Sequence, residues 1–161
     1  MPYISQSLRQ RLDPFIAKIS QHCNAVEGET DRIETLEDVL VTLLESAVDV
    51  FGIGTEEVLD QNNSVRELAN IIREFDDNDK RGICNYCITK LIVEVIFKQG
   101  VRYYRIDKTR EMLNSVKRSL GYARNYASVV DCAWAEFYRR VAAPYEDKKI
   151  AENGDVYGEL V

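Results

Sequence analysis

Ile83-Cys-Asn-Tyr-Cys-Ile-Thr-Lys-Leu-Ile-Val-Glu-Val-Ile-Phe-Lys-Gln99 is apolar on almost every side of a helical wheel. Ile83, Tyr86, Ile88, Leu91, Ile92, Val93, Val95, Ile96 and Phe97 leave no wide polar face. A helix of that kind is central and buried. It is shorter than the ~20 apolar residues a bilayer span needs, and Lys90 and Glu94 interrupt it. Its β-branched content leaves a strand reading open, but strands usually run about 5–6 residues. Gly100, following Lys98, is the natural C-cap.

C-terminal to it, Asp107 reads as the cap of the longest element. From Met112 the apolar and small residues fall at 112, 116, 120, 123, 127, 130, 134, 137 and 141. After 120 the steps alternate between three and four, which describes a coiled-coil-like seam. A helix from 107 to 142, ending before Pro144, is roughly 50 Å long. Gly121 is where it would bend or split into antiparallel pieces. Left straight, its seam needs cover from a second subunit, because an exposed apolar stripe is costly. A homo-oligomer is therefore expected.

On the N-terminal side, Asp13-Pro14 reads as an N-cap with proline at the first helical position. Residues 5–12 form a short helical lead-in, and His22 to Asp31 a polar loop. Thr35-x-x-Asp38 resembles a capping box ahead of Leu36, Leu40, Leu43, Leu44, Ala47 and Phe51. Gly52 and Gly54 stop that helix. Ser64-x-x-Glu67 is a full capping box before Val65, Leu68, Ala69, Ile72 and Phe75. Periodicity is helical throughout, and a β-sheet has nowhere to come from. The expected fold is an all-α bundle of about five helices with one long C-terminal helix. Residues 1–161 form one domain, with an acidic helical insertion at 26–80, core helices at 81–143 and a polar tail at 144–161.

Composition agrees with a globular chain: 161 residues, 45% hydrophobic, 30% charged, formal charge −6. Charge is uneven. Residues 1–80 hold 7 Lys and Arg against 17 Asp and Glu, whereas residues 81–140 hold 12 against 5. An acidic half joined to a basic half points to complementarity within or between copies. General nucleic-acid binding is excluded, but a local basic groove for a small anion is not. Met1-Pro-Tyr-Ile-Ser lacks the basic and apolar stretches of a secretion signal. With cysteines read as buried and reduced, a cytoplasmic setting is expected.

Most chemical motifs fail on inspection. Cys84-Asn-Tyr-Cys87 is a lone CxxC on a buried helix, and His22-Cys23 is not a zinc-ligand spacing that completes it. Asp76 to Gly82 resembles a calcium loop, but Arg81 and Ile88 stand where oxygen ligands are needed. It reads as a solvated acidic loop. Gly52-Ile-Gly54 lacks the third glycine of a dinucleotide fingerprint. Glu34, Glu37, Asp38 and Glu45, with Glu67 and Glu74, imitate the paired carboxylates of metal-dependent all-α nucleotide hydrolases, and equally fit a solvent-facing stripe. No catalytic residue, metal ligand or cofactor is assigned.

The C-terminal stretch is richer. Arg139 and Arg140 lie in the last turns of the long helix, where cations suit the dipole and Glu136 can pair with Arg140. Arginine forks match phosphate or carboxylate oxygens, and tyrosine faces stack on bases. Arg139, Arg140, Tyr138, Tyr145, Asp147, Lys148, Asn153, Asp155 and Tyr157 are the candidate ligand-binding residues.

Phe137 to Tyr157, Met1-Pro-Tyr-Ile and Asn85-Tyr86-x-Ile88-Thr89-Lys90-Leu91 together resemble a family of short uncharacterised bacteriophage and prophage proteins. The likeness covers about half the chain and departs from it over residues 26–80 and in the longer final helix. It implies a phage or prophage origin and a shared site at the tail, and carries over no catalytic role. The expected function is that of a non-enzymatic phage-type binding protein sequestering a small anionic or nucleotide ligand. Two alternatives stand beside it: an adaptor for a host or phage protein, acting through its acidic half, and a metal-dependent nucleotide hydrolase.

Overall fold

A computed structural model describes residues 4–49 and 55–155, and within them every regular element is helical. The α-helices are α1 (Gln6–Asn24), α2 (Glu29–Ala47), α3 (Thr55–Gln61), α4 (Asn63–Arg73), α5 (Asp77–Val95), α6 (Tyr103–Ser119), α7 (Ala127–Phe137) and α8 (Ala143–Asn153). Gly121–Tyr126 is a 3₁₀ turn between α6 and α7, and Tyr138–Ala142 is a π turn between α7 and α8. None of these helices is long and apolar enough to cross a membrane.

As its pattern requires, α5 is central. It packs against α1, α2, α4 and α7, and Ile83, Cys84, Cys87, Ile88, Leu91 and Ile92 are buried on it. The helix begins six residues before Ile83 because Asp76 caps it, its Oδ1 accepting from the Asp79 N–H at 2.9 Å. Asp77 and Asp79 then sit in the first turn, where the dipole favours carboxylates. The expected acidic loop is thus the opening of the central helix. At the other end α5 stops at Val95, and Gly100 (φ 106°) closes a following turn by donating to the Phe97 carbonyl.

Three other starts are earlier than their capping signals. Ser5 caps α1, which leaves Pro14 inside that helix and Asp13 available to a neighbour. Gly28 precedes α2 with Glu29 and Asp31 in the first turn, so Thr35 is interior, its hydroxyl donating to the Asp31 carbonyl. Asn62 rather than Ser64 caps α4, accepting from Ser64 and Val65 N–H groups. Phe51, Gly52 and Gly54 lie outside the described residues, and α2 ends before them at Ala47. The acidic segment is no appendage: Leu36, Leu40, Leu43, Leu44, Leu68 and Ile72 belong to the one core cluster.

The long straight helix does not form. Gly121 adopts a left-handed φ of 54°, and the 3₁₀ turn after it folds α7 back against α6. Asp107 caps nothing; α6 starts at Tyr103, and Asp107 pairs with Arg110. Met112, Val116, Leu120, Ala123, Val130 and Phe137 are all buried within one copy, with Ala127, Trp134 and Val141 packed against the core. Cover for the seam is intramolecular, so the geometric argument for a second subunit falls away. The fold-back is pinned by Tyr126, fully buried, whose hydroxyl donates to Asp77 at 2.8 Å beneath the Arg81 guanidinium. Nor does the helix end before Pro144. A widened π turn carries the chain past it, and Pro144 lies in the first turn of α8, where its missing N–H costs nothing.

Gly121→Ala should destabilise by about 1 kcal/mol, since a Cβ in the left-handed region costs that much even where space allows; denaturant unfolding measures it. Phe137 is fully buried and its ring lies 4.9 Å from that of Phe97. Phe137→Ala should cost about 3–5 kcal/mol by the same assay.

Candidate functional site: a basic groove on the central helix

On one face of α5 the polar Tyr86, Thr89 and Lys90 fall at i, i+3 and i+4, with Val93 at i+7. That face opens into a groove of about 400 Å³, walled by Ile4 and Arg9 from the N-terminal side and by Glu136 and Arg140 opposite. Asp13 stands behind it, where its carboxylate receives the Tyr86 hydroxyl at 2.6 Å and the Lys90 ammonium at 2.8 Å. Lys90 also donates to the Tyr86 oxygen at 3.3 Å.

These contacts settle the charge states. Burial alone would raise the Asp13 carboxyl, but hydrogen bonds from Lys90 and Tyr86 hold it below its usual value. Burial likewise opposes a charged Lys90, yet its bond to Asp13 raises its pKa. The Tyr86 phenol is pushed up by burial and by the carboxylate it donates to. At neutral pH the groove therefore holds a carboxylate, an ammonium and a neutral phenol.

Across the groove Glu136 is 8% exposed and serves two arginines. Arg139 donates to it at 3.1 Å, and the Arg140 Nε also donates to it, as the i, i+4 spacing predicts. Burial would raise this carboxyl, but the Arg140 and Arg139 bonds keep it below the ordinary glutamate value. Bonding through Nε leaves the outer nitrogens of Arg140, which lines the groove, uncommitted to Glu136. Arg9, Lys90, Arg139 and Arg140 outnumber Asp13 and Glu136 by two, a local cationic excess on a chain of net charge −6.

Of the candidates read from the tail, Arg140 lines this groove and Arg139 reaches it through Glu136. The others lie along α8 or turn elsewhere. Tyr138 donates to Glu146 at 2.8 Å, and Tyr145 packs edge-on against Tyr103. Asp147, Lys148, Asn153 and Asp155 are exposed, and Tyr157 lies outside the described residues. Arg9, Asp13, Thr89 and the central pair Tyr86–Lys90 were not singled out as site residues. The signal was present: a lysine and a tyrosine four residues apart on an otherwise apolar buried helix demand partners.

Other expected chemistry is not assembled. Among the described residues no three His, Cys, Asp or Glu side chains gather to hold a metal ion. Glu45 accepts from Thr55, and Glu74, the residue after α4, pairs with Arg11, so these two carboxylates are engaged separately. Cys23, Cys84 and Cys87 are buried, and burial pushes the Cys23 thiol up to about 11. Cys132, expected to be buried, is exposed.

Fold and groove define the class: an all-α protein carrying a cationic, tyrosine-bearing cleft on its central helix. A family profile described as "Domain of unknown function (DUF6899)" matches residues 1–156, and the chain belongs to that family. The matched span takes in residues 26–80. No curated protein and no solved structure matches the chain.

Because the folded-state pKa of Glu136 is depressed, its contribution to stability is present above the ordinary value of 4.5 and disappears as pH falls below it. Melting temperature should drop steeply between about pH 5 and 3, and Glu136→Gln should flatten that part of the profile. An unchanged slope in the variant would show that the pairing contributes nothing.

Proposed function

We propose that this is a non-enzymatic binding protein whose groove takes a small phosphate-type anion. One observation carries the reading: three separate parts of the chain deliver Arg9, Lys90 and Arg140 to one cleft of a strongly acidic protein. Lys90 and Arg140 are held in place by Asp13 and Glu136, which fixes the donors before a ligand arrives. The Tyr86 ring and Val93 supply an apolar wall, and charge-assisted bonds from arginine and lysine supply orientation. The π turn that presents Arg139 and Arg140 is a local irregularity of a sort that recurs at functional sites. Phage origin, cytoplasmic residence and sequestration of a nucleotide belong to the same proposal, and the resemblance of Asn85–Leu91 and of the tail to phage proteins supports them.

A second reading has its own observation. On the acidic side Glu37, Asp38 and Glu57 border a cleft of about 600 Å³ between α2 and α3. Burial, then the neighbouring Glu37 and Glu57 charges, raises the Asp38 carboxyl. A host or phage protein with a basic docking segment would suit that face.

Thermal denaturation with inorganic phosphate, pyrophosphate and nucleotides separates these readings. An anion binder gains stability as ligand rises, by about 2.7 kcal/mol at a hundredfold excess over Kd. Lys90→Ala with Arg140→Ala should abolish that gain. No gain with any phosphate compound would leave the acidic-face reading, and turnover of a nucleotide with Mg²⁺ would overturn the non-enzymatic one.

A further inference from the structure

Beside the groove, and sharing Ile4 with it as a wall, lies a second cavity of about 570 Å³. Its character is different. Leu8, Phe75, Ile83 and Val129 give it apolar walls. Its one arginine, Arg81, is already committed, donating to Asp77, to the Ser128 hydroxyl and to the Asn125 carbonyl. Asp79 on its rim opposes an anion. A phosphate is thus placed in the groove and not here.

What this cavity does present is Asn85. The residue is 8% exposed, its Oδ1 accepts from the Thr89 hydroxyl at 3.2 Å, and its Nδ2 is not among the buried polar atoms left without a partner, so the amide donor is open to the cavity. A donor open to a cavity is satisfied by water until a ligand acceptor of matching geometry displaces it. Asn85 and Thr89 lie one helical turn apart, Asn85 lining the cavity and Thr89 the groove. Asparagine suits the paired donor and acceptor edge of a nucleobase, and Phe75 and Val129 offer apolar contact.

Resting on the reading of the groove as an anion site, we propose that the ligand is a nucleoside monophosphate bridging both cavities. Its phosphate is held by Lys90 and Arg140, and its base lies in the second cavity with an acceptor on the Asn85 Nδ2. Inorganic phosphate fills half of the site, and a bare nucleoside fills the other half.

Cys132 provides an internal reporter, since it lines the second cavity and is the exposed one of the four cysteines. Calorimetric titration of the full chain should compare inorganic phosphate, ribose 5-phosphate, adenosine and the monophosphates of adenosine, guanosine, cytidine and uridine. Alkylation of Cys132 by iodoacetamide is followed in parallel. At least one nucleoside monophosphate should bind tenfold or more tightly than ribose 5-phosphate and slow alkylation severalfold, while phosphate leaves the alkylation rate unchanged. Asn85→Ala should remove the tenfold advantage and leave ribose 5-phosphate affinity within twofold. Cys132→Trp, which fills the cavity from its exposed rim, should do the same should Asn85→Ala fail to fold. Equal affinity for ribose 5-phosphate and every monophosphate, with no protection of Cys132, overturns the base subsite and leaves the groove intact. Protection by adenosine with no phosphate binding overturns the groove reading and the bridging ligand together, and leaves the cavity as a nucleoside site. No binding by any probe overturns both.

Discussion

Lys90 and Glu94 enter the middle of a helix whose other faces are apolar, and the neighbours of α5 are arranged around giving them partners. Asp13 and Tyr86 satisfy Lys90, and the Ser20 hydroxyl donates to Glu94 at 2.7 Å. Both Asp13 and Ser20 come from α1, so burying α5 fixes the register of α1 against it as well as its contact. An unpaired charge at such a half-buried position would be destabilising. The same constraint brings function within reach: the face of α5 that cannot be apolar is the face that opens into the groove.

How the chain closes around α5 is a question of where the C-terminal half bends. A straight rod would have left its seam bare. Gly121 takes the one backbone conformation in this region that side chains resist, and Tyr126 then locks the reversed α7 onto the start of α5 through Asp77. Asp76 to Asp79 therefore serve as helix cap, dipole partner and hydrogen-bond acceptor at once, which accounts for acid density that otherwise imitates an ion-binding loop. Arg105 does a comparable job at the other end, where it is 6% exposed and donates to Glu29 and to the Gly100 and Gln99 oxygens.

Much of this architecture was legible in the residues. The all-helical class followed from periodicity, and the central position of α5 from its lack of a polar face. Helix starts were less legible, because capping residues compete: Asn62 displaced Ser64, and Ser5 left Asp13-Pro14 stranded inside α1, where it became part of the site. The course of the long helix stayed open in the sequence because Gly121 permits a bend or a break, and the choice depends on tertiary contacts that spacing does not encode. For the groove, the tail supplied Arg140 and the motif around Asn85 to Lys90 supplied the opposite wall. Their meeting depends on α7 folding back, so no local pattern could join them.

The charge asymmetry of the chain acquires a structural sense from this arrangement. Acidic α2 and α3 carry much of the negative excess, while Arg9, Arg139 and Arg140 gather with Lys90 of α5 around the carboxylates of Asp13 and Glu136. On the proposed reading, a local cationic cleft on a chain of net charge −6 favours capture of a small anion over general polyanion binding.

Titration of ¹⁵N-labelled protein with pyrophosphate, followed by amide and arginine side-chain NMR shifts, tests the central claim most directly. Saturable shifts centred on Tyr86, Thr89, Lys90 and Arg140 are what the account requires. Shifts confined to α8, or no saturable shifts at millimolar pyrophosphate, would contradict it.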